Sequence, residues 1–271
     1  MFLNAKNGCL DLRCGKMDYV RFGKGERIAV MIPGVGDGLK TVKGFAIPFA
    51  ILYRKFAKQF TVYVFSRKRD LPEKMTTRDM ASDLNEAFEA LGLKEVNLIG
   101  ISQGGMISQW MAIDHPEKVS KLVLTVTHAR AGEVAKDVIP RWMEMAKRGG
   151  YKEIMMDTAE RAYSPARLES SKKQYMLLGN YGRPKSFDRF LIQAESCMTH
   201  NAYDELDKIT CPTLVIGGSD DRIVGGRQSE ELAEKIPGAK LHIYEGLGHG
   251  LYEEAPDFFD RVAGFFISGK V

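Results

Sequence analysis

The sequence contains no long hydrophobic run, and no stretch approaches the roughly 18 consecutive apolar residues of a membrane-spanning helix. Its first residues, MFLNAKNGCLDLRCG, hold no apolar segment of signal-peptide length behind a basic start. The four cysteines, Cys9, Cys14, Cys197 and Cys211, are too few and too scattered for a disulfide framework or a zinc site. We therefore expect a soluble, cytoplasmic protein that needs no structural metal.

The chain also lacks a strong charge of either sign. Its 39 Lys and Arg residues against 35 Asp and Glu residues give a net charge of +4 over 271 residues. Proteins that bind nucleic acid or anionic membranes concentrate more positive charge than this, so we expect neither partner. Apolar residues make up 44% of the chain and charged residues 27%, which is typical of a globular protein with a sizeable core.

Short apolar runs alternate with helical patterns along most of the chain, which predicts a mostly parallel, twisted sheet flanked by helices. Gly15-Lys16 suggests an N-terminal hairpin at the sheet edge, and His242 marks the last strand as a near-edge one. We expect about eight strands in this α/β fold. The predicted strands are Leu10–Arg13, Asp18–Phe22, Ile28–Ile32, Val62–Phe65, Val96–Ile99, Leu122–Val126, Thr213–Ile216 and Leu241–Tyr244.

Two helix starts can be placed from sequence. Thr76 and Asp79 have the spacing of a capping box ahead of an amphipathic pattern. Pro256 fits the first turn of a C-terminal helix.

The alternation stops between residues 128 and 205, which predicts a helical cap (128–205) inserted into a core of residues 1–127 and 206–271. Breaks fall at Gly149-Gly150, Ser164-Pro165 and 181–184. The span is rich in methionine, which adapts to irregular apolar shapes and could line a pocket, although ordinary packing in helix cores explains it equally well. These methionines are Met143, Met145, Met155, Met156, Met176 and Met198.

A G-x-S-x-G motif, Gly100-Ile101-Ser102-Gln103-Gly104, lies between a predicted strand and a predicted helix. A nucleophile in this tight turn adopts a strained backbone, and small neighbours let the strand and helix pass closely. The hydroxyl of Ser102 would then stand at a helix N-terminus, where backbone N–H groups stabilise negative charge. The motif predicts a serine nucleophile.

Candidate partners for Ser102 follow two later strands. Asp220 and Asp221 come after Thr213–Ile216, and His249 comes after the last strand. Because sites in open parallel sheets form beyond the carboxyl ends of the strands, we expect these groups to meet Ser102. One of the two aspartates suits a turn instead, and His249 taken alone could belong to a flexible loop.

With these residues in place, the sequence resembles an α/β-hydrolase-fold protein over essentially its whole length. The resemblance implies that Ser102 is the nucleophile, His249 the general base and Asp221 the acid, and that no cofactor is needed. Backbone N–H groups of Val35 and Gln103 would form the oxyanion hole. The resemblance also extends to 248–256 as the histidine loop and to 114–119.

Two segments depart from the family's pattern. The loop after the first core strand reads Pro33-Gly34-Val35-Gly36-Asp37-Gly38, where the family usually has His-Gly. Ser66-Arg67-Lys68-Arg69-Asp70 replaces an Asp-x-Arg-Gly-x-Gly loop. We expect this basic run to be a solvated loop, the alternative being contact with an anionic substrate group.

The resemblance implies acyl transfer through a covalent intermediate on a small-molecule acyl substrate. A serine at position 102 argues against haloalkane dehalogenases and epoxide hydrolases, which use aspartate there. Carboxylesterase is the expected activity. Carbon–carbon bond hydrolase, enol-lactonase, perhydrolase, acyltransferase and a ligand-binding sensor on the same fold are the alternatives. We expect Met143, His128 and Leu251 to line the substrate pocket, and the sequence leaves the oligomeric state open.

Overall fold

A computed structural model describes residues 2–170 and 182–270. Within these ranges eight strands form one sheet: β1 (Lys6–Leu12), β2 (Gly15–Gly23), β3 (Arg27–Ile32), β4 (Phe60–Lys68), β5 (Val96–Ile101), β6 (Val119–Thr125), β7 (Thr213–Gly218) and β8 (Lys240–Tyr244). Their order is β1-β2-β4-β3-β5-β6-β7-β8. The pairs β1–β2 and β2–β4 are antiparallel, and all other neighbours are parallel. The expected α/β fold with a mostly parallel sheet is confirmed.

Helices cover both faces of the sheet. They are α1 (Ala46–Leu52), α2 (Phe56–Gln59), α3 (Thr77–Leu91), α4 (Gln103–Asp114), α5 (Glu133–Lys147), α6 (Tyr151–Ala162), α7 (Asp188–Thr199), α8 (Gln228–Lys235), α9 (Leu251–Glu254) and α10 (Phe258–Ser268). Residues 165–170 are also helical. Apolar side chains of α3, α4 and α8 form the core on one face. Those of α1, α2 and α10 form the core on the other. The central strands are therefore buried on both sides, as their continuous apolar runs require.

The helix α3 begins as its sequence predicts. The Oγ1 of Thr76 accepts a hydrogen bond from the Asp79 N–H at 3.1 Å, and an Asp79 carboxylate oxygen accepts from the Thr76 N–H at 2.9 Å. This reciprocal pair satisfies two backbone donors that the first helical turn leaves open.

Three predicted boundaries are wrong in detail. The hairpin turn lies at Arg13 and Cys14, so Gly15 already belongs to β2. The prediction for β4 ended at Phe65, whereas the strand continues to Lys68. Pro256 precedes α10, whose N-cap is Asp257, instead of occupying its first turn. Backbone hydrogen bonds set where each of these elements begins and ends, and the spacing of apolar residues does not report them.

The segment between β6 and β7 contributes α5, α6 and α7, which we call the β6–β7 helices. They share a separate apolar cluster that includes Ile223 and Val224 from the loop after β7. Arg130 and Asn201 form an isolated antiparallel bridge where the segment leaves and rejoins the sheet region. The division into a core and a 128–205 cap stays a prediction. Across residues 2–170 and 182–270, no helix combines the length and apolar character that crossing a membrane requires.

Candidate active site

Ser102 stands at a sharp turn between β5 and α4. Its backbone has φ 54° and ψ −120°, a region that residues with a side chain rarely adopt. The Ser102 N–H donates to the Thr125 carbonyl oxygen at 2.9 Å, and the Thr127 hydroxyl donates to the Ser102 carbonyl oxygen at 2.7 Å. These contacts to the end of β6 hold the strained residue in place.

Glycines make the close approach at this turn possible. A Cβ atom on Gly104 would lie 1.9 Å from the Ile32 carbonyl oxygen. One on Gly100 would lie 2.5 Å from the Gly105 Cα atom. Side chains at these positions would push α4 away from the sheet, so the steric role expected of Gly100 and Gly104 is what the structure shows.

His249 and Asp221 meet at the carboxyl ends of β8 and β7. The His249 Nδ1 donates to Asp221 Oδ2 at 2.8 Å. The other carboxylate oxygen of Asp221 accepts the N–H groups of Ile223 at 2.8 Å and Val224 at 3.0 Å. Asp221 is buried, whereas Asp220 is exposed. Of the two candidate aspartates, the structure therefore pairs Asp221 with the imidazole.

The surroundings of Asp221 favour its ionised form. Burial alone would raise the pKa of Asp221, but the adjacent His249 and the hydrogen bonds from the imidazole and two backbone N–H groups hold the pKa below its ordinary value. An ionised carboxylate can only accept hydrogen bonds, so a neutral His249 imidazole carries its proton on Nδ1, facing Asp221 Oδ2. Nε2 is then the basic nitrogen of His249.

Ser102 and His249 line the same cavity, which has a volume of about 460 Å³. Val35 and His128 line it as well. The remaining lining is mostly apolar. It comes from α1 and the loop before it, from the turn at residues 100–104 (which we call the elbow) and α4, from the β6–β7 helices and from the loop after β7. It includes Leu39, Phe45, Phe49, Ile101, Met106, Ala135, Ile139, Trp142, Ile154, Met155, Ala159, Phe190, Ile223 and Val224. An apolar pocket with a few convergent polar groups is typical of small-molecule sites.

Val35 and Gln103 begin the two helical turns that lie beside Ser102. Val35 is the first residue of a 3₁₀ turn, Val35–Gly38, and Gln103 is the first residue of α4. The N–H groups of first helical residues have no partner inside their own helix. Gly34 brings the two segments together, since a Cβ atom on it would lie 3.2 Å from the Ser102 Cβ.

His128 is fully buried against the cavity, and burial lowers its pKa to about 4. Its carbonyl oxygen accepts from the Gln109 side-chain amide at 3.0 Å. The Gln109 Oε1 in turn lies 3.3 Å from Nε2 of His200, whose Nδ1 is 2.8 Å from the Thr77 hydroxyl. Because Gln109 Oε1 can only accept, His200 donates from Nε2 and the Thr77 hydroxyl donates to Nδ1. This buried chain fixes the backbone at His128.

Two predicted pocket residues do not line the cavity. Leu251 is fully buried in the core beneath α10, and its neighbours Tyr252 and Glu253 face the cavity instead. Successive helical residues point about 100° apart, so α9 cannot present all three side chains to the same side. Met143 packs at the edge of the apolar cluster among the β6–β7 helices, beside the cavity-lining stripe of α5.

Four of the five described methionines of the 128–205 span, all but Met156, divide between two roles. Met155 lines the cavity. Met143, Met145 and Met198 pack against the core of the β6–β7 helices. Met176 lies outside the described residues. Packing within the helix core accounts for most of the described methionines, as the alternative interpretation anticipated.

The basic run at residues 66–70 is not a solvated loop, and this prediction is wrong. Ser66, Arg67 and Lys68 belong to β4 and are buried. Lys68 Nζ donates to Asp83 at 2.7 Å, and Arg69 pairs with Asp18 at 2.6 Å. Arg67 turns inward to the elbow and the loop after β3. The acceptors that hold these three cations lie on other segments of the chain. Their placement therefore cannot be inferred from the run itself.

Two residues at the site carried no sequence signal. Val126 has φ 45°, an outlier for a β-branched residue, and it directs the chain from β6 toward Thr127 and His128. Asp37 is buried and accepts from both the Arg67 backbone N–H at 3.1 Å and the Arg189 guanidinium at 2.8 Å.

Among the described residues, no group of three or more His, Cys, Asp or Glu side chains is placed to hold a metal ion.

A family profile described as the alpha/beta hydrolase fold matches residues 63–256. The chain is 25% identical over 266 residues to a serine hydrolase of Mus musculus, covering 93% of this chain and 82% of the relative. It is 24% identical over 254 residues to a 2-hydroxy-6-oxononadienedioate/2-hydroxy-6-oxononatrienedioate hydrolase of a Pseudomonas species, covering 91% and 89%.

Similarity to solved structures extends over nearly the whole chain. An alpha/beta hydrolase enzyme from a Medee basin deep-sea metagenome library superposes with a TM-score of 0.85 at 22% identity, covering 97% of this chain and 98% of the other. At this identity the likeness concerns the fold. The family match and the names of the relatives support a hydrolase activity.

Proposed function

Because the chain belongs to the α/β hydrolase fold family, we propose that it hydrolyses a carboxylic ester through a Ser102–His249–Asp221 triad and an acyl-enzyme intermediate. One observation carries the proposal. Ser102, on its strained turn, and His249, paired to Asp221 at 2.8 Å, line one apolar cavity. This arrangement offers a nucleophile, a base and an orienting carboxylate at a place where a small molecule fits.

The chemistry has two half-reactions. In the first, His249 Nε2 takes the proton of the Ser102 hydroxyl as Oγ attacks the ester carbonyl, and then gives it to the departing alcohol. In the second, His249 activates a water molecule that attacks the acyl-enzyme and releases the acid. Asp221 keeps the imidazole in the required tautomer and stabilises its protonated form.

Negative charge develops on the former carbonyl oxygen in both half-reactions. The N–H groups of Val35 and Gln103 are proposed to receive it, since both are first residues of helical turns beside Ser102. In comparable sites one such donor contributes about 2.7–4 kcal/mol to the transition state.

The cavity lining favours an uncharged acyl group. Asp37 and Glu253 border the cavity, and Lys40 is the only Lys or Arg among the described lining residues. A carboxylate-bearing substrate such as the one named for the Pseudomonas relative would find little fixed positive charge there. We therefore propose an ester with a small or medium apolar acyl chain, and place carbon–carbon bond cleavage of a dicarboxylate second.

A series of p-nitrophenyl esters from acetyl to long acyl chains tests the proposal. We expect turnover by the wild-type protein with a preference among chain lengths, because the cavity encloses a limited volume. Ser102→Ala should lower kcat by about 10⁴-fold or more. Ser82→Ala is the matched control, since Ser82 is an exposed residue of α3.

Three results would count against this function. Turnover retained in Ser102→Ala would reject the nucleophile. Equal rates for all acyl chains would reject a shape-selective cavity. A wild-type protein that binds such esters without turning them over would favour the ligand-binding sensor.

A further inference from the structure

The buried side chain of Arg67 joins the two segments that carry the proposed oxyanion donors. Its Nη2 donates to the Pro33 carbonyl oxygen at 2.5 Å and reaches the Gly34 carbonyl oxygen at 3.3 Å. The same nitrogen donates to Gln103 Oε1 at 2.6 Å. One guanidinium group from the end of β4 thus contacts the loop after β3 and the first residue of α4.

Asp37 offsets part of the charge of Arg67, since the same carboxylate also pairs with Arg189 at 2.8 Å. Arg67 is 4% exposed and its Nη1 lies 3.9 Å from Asp37 Oδ2. Burial lowers the pKa of Arg67 to about 10, against the opposing charge of Asp37. Arg67 is therefore a buried cation at neutral pH, and a cation is a stronger hydrogen-bond donor than a neutral group.

The position of the carbonyl groups determines where the loop's N–H groups point. In a planar trans peptide, the C=O and N–H bonds point in opposite directions. The Gly34 carbonyl belongs to the same peptide unit as the Val35 N–H. With this carbonyl turned toward Arg67, the Val35 N–H, which lies in the same peptide plane, points away from Arg67.

The Gln103 side chain is held at both ends of its amide. Its oxygen accepts from Arg67, and its nitrogen donates to the Gln193 carbonyl oxygen at 2.8 Å and to the Ser196 hydroxyl at 3.0 Å. Gln193 and Ser196 lie on α7, one of the β6–β7 helices. Gln103 is fully buried, so these bonds replace the ones water would offer.

We propose that Arg67 is a positioning residue of the oxyanion hole, holding the Pro33–Gly34 peptide units and the Gln103 side chain so that the N–H groups of Val35 and Gln103 converge above Ser102. This inference rests on the proposed ester hydrolysis. In this chain the loop after β3 lacks the family's usual His-Gly sequence. Arg67 holds that loop from β4, a strand that carries no proposed catalytic group. Arg67 does not line the cavity that Ser102 and His249 share.

The test compares Arg67→Lys and Arg67→Met with wild type, using Arg69→Met as the matched control. Arg69 is two residues away, and its guanidinium pairs with Asp18 instead of with the loop after β3 or with Gln103. For each protein, kcat and KM are measured on the best p-nitrophenyl ester. The affinity of a trifluoromethyl ketone is measured alongside, because the oxygen of its serine adduct occupies the oxyanion hole.

Misplaced oxyanion donors lower transition-state stabilisation without weakening substrate binding. Arg67→Met should lower kcat by about 10²-fold or more, with KM nearly unchanged and ketone affinity falling in parallel with kcat/KM. Arg67→Lys keeps the charge but not the planar fork, and should fall between Arg67→Met and wild type. If Arg67→Met does not fold, as thermal melting will show, Arg67→Lys decides.

Folded Arg67 variants with wild-type kcat and ketone affinity would overturn the inference. So would a variant whose KM rises while ketone affinity stays unchanged, since that result indicates a role in the shape of the pocket alone. A wild-type protein without ester turnover would instead contradict the proposed function.

Discussion

Nδ1 of His249 donates to Oδ2 of Asp221 at 2.8 Å, while Oδ1 of the same carboxylate accepts two backbone N–H groups. Asp220, one residue earlier, is exposed, and its N–H donates to the Leu247 carbonyl oxygen. The two neighbouring aspartates therefore have different roles, one turned inward to the imidazole and the other at the surface.

Substitutions of these aspartates provide a matched pair. Asp221→Asn should lower kcat by about 10⁴-fold, because an amide cannot stabilise the protonated imidazole and favours the wrong tautomer. Asp220→Asn should leave kcat close to wild type. Steady-state kinetics on one ester checks both, and the reverse order of effects would show that Asp221 is not the acid.

The backbone strain at Ser102 should lower the free energy of unfolding by a measurable amount. Glycine adopts φ 54° without the steric cost that a Cβ atom imposes. Ser102→Gly should therefore unfold with a free energy about 1 kcal/mol higher than Ser102→Ala, although both variants lack the proposed nucleophile. Urea denaturation measures the difference, and equal stabilities would contradict a strained turn.

Gly104 and Gly36 should respond differently to an added methyl group. A Cβ atom on Gly104 meets the Ile32 carbonyl oxygen at 1.9 Å, whereas one on Gly36 finds open space. Gly104→Ala should lower the free energy of unfolding by about 2–3 kcal/mol or more, since α4 must move away from β3. Gly36→Ala should change it by less than about 1 kcal/mol. Denaturant titration of the two variants compares these values, and a Gly104→Ala protein as stable as Gly36→Ala would contradict the close packing.

Burial of His128 should make the protein less stable in mild acid. The folded pKa is about 4 against an ordinary value of 6.5, so the unfolded chain binds the extra proton between these values. Stability therefore falls as pH falls through this window. His128 should contribute a loss of about 2 kcal/mol between pH 7 and pH 5.

Urea denaturation of wild type and His128→Gln at both pH values isolates that contribution. The variant removes the titrating ring, so its loss on acidification should be smaller by this amount. Equal losses in the two proteins would indicate that His128 titrates normally.

Local chemistry explains which features the sequence predicts. The elbow at Ser102 could be recognised because its glycines, its preceding apolar strand and its following helix are contiguous. His249 and the aspartates could be placed because parallel strands end at one edge of the sheet. The choice between Asp220 and Asp221 came from the family resemblance, and the structure adds the hydrogen bond that separates them.

The basic run at residues 66–70 shows what contiguous patterns miss. Three successive cations are typical of a surface loop, yet Arg67, Lys68 and Arg69 each find a partner contributed by a distant segment. Likewise, the rotation of α9 that buries Leu251 depends on tertiary packing. Such placements depend on side chains far away in the chain, and no local periodicity contains them.

The most direct test of the central claim, that Ser102 is the nucleophile of a triad, is labelling with a fluorophosphonate probe followed by peptide mapping. Wild type should carry one covalent adduct, on the peptide that contains Ser102. Asp221→Asn should label more slowly, and Ser102→Ala should not label at all. An adduct on another peptide, or labelling that persists in Ser102→Ala, would contradict the assignment.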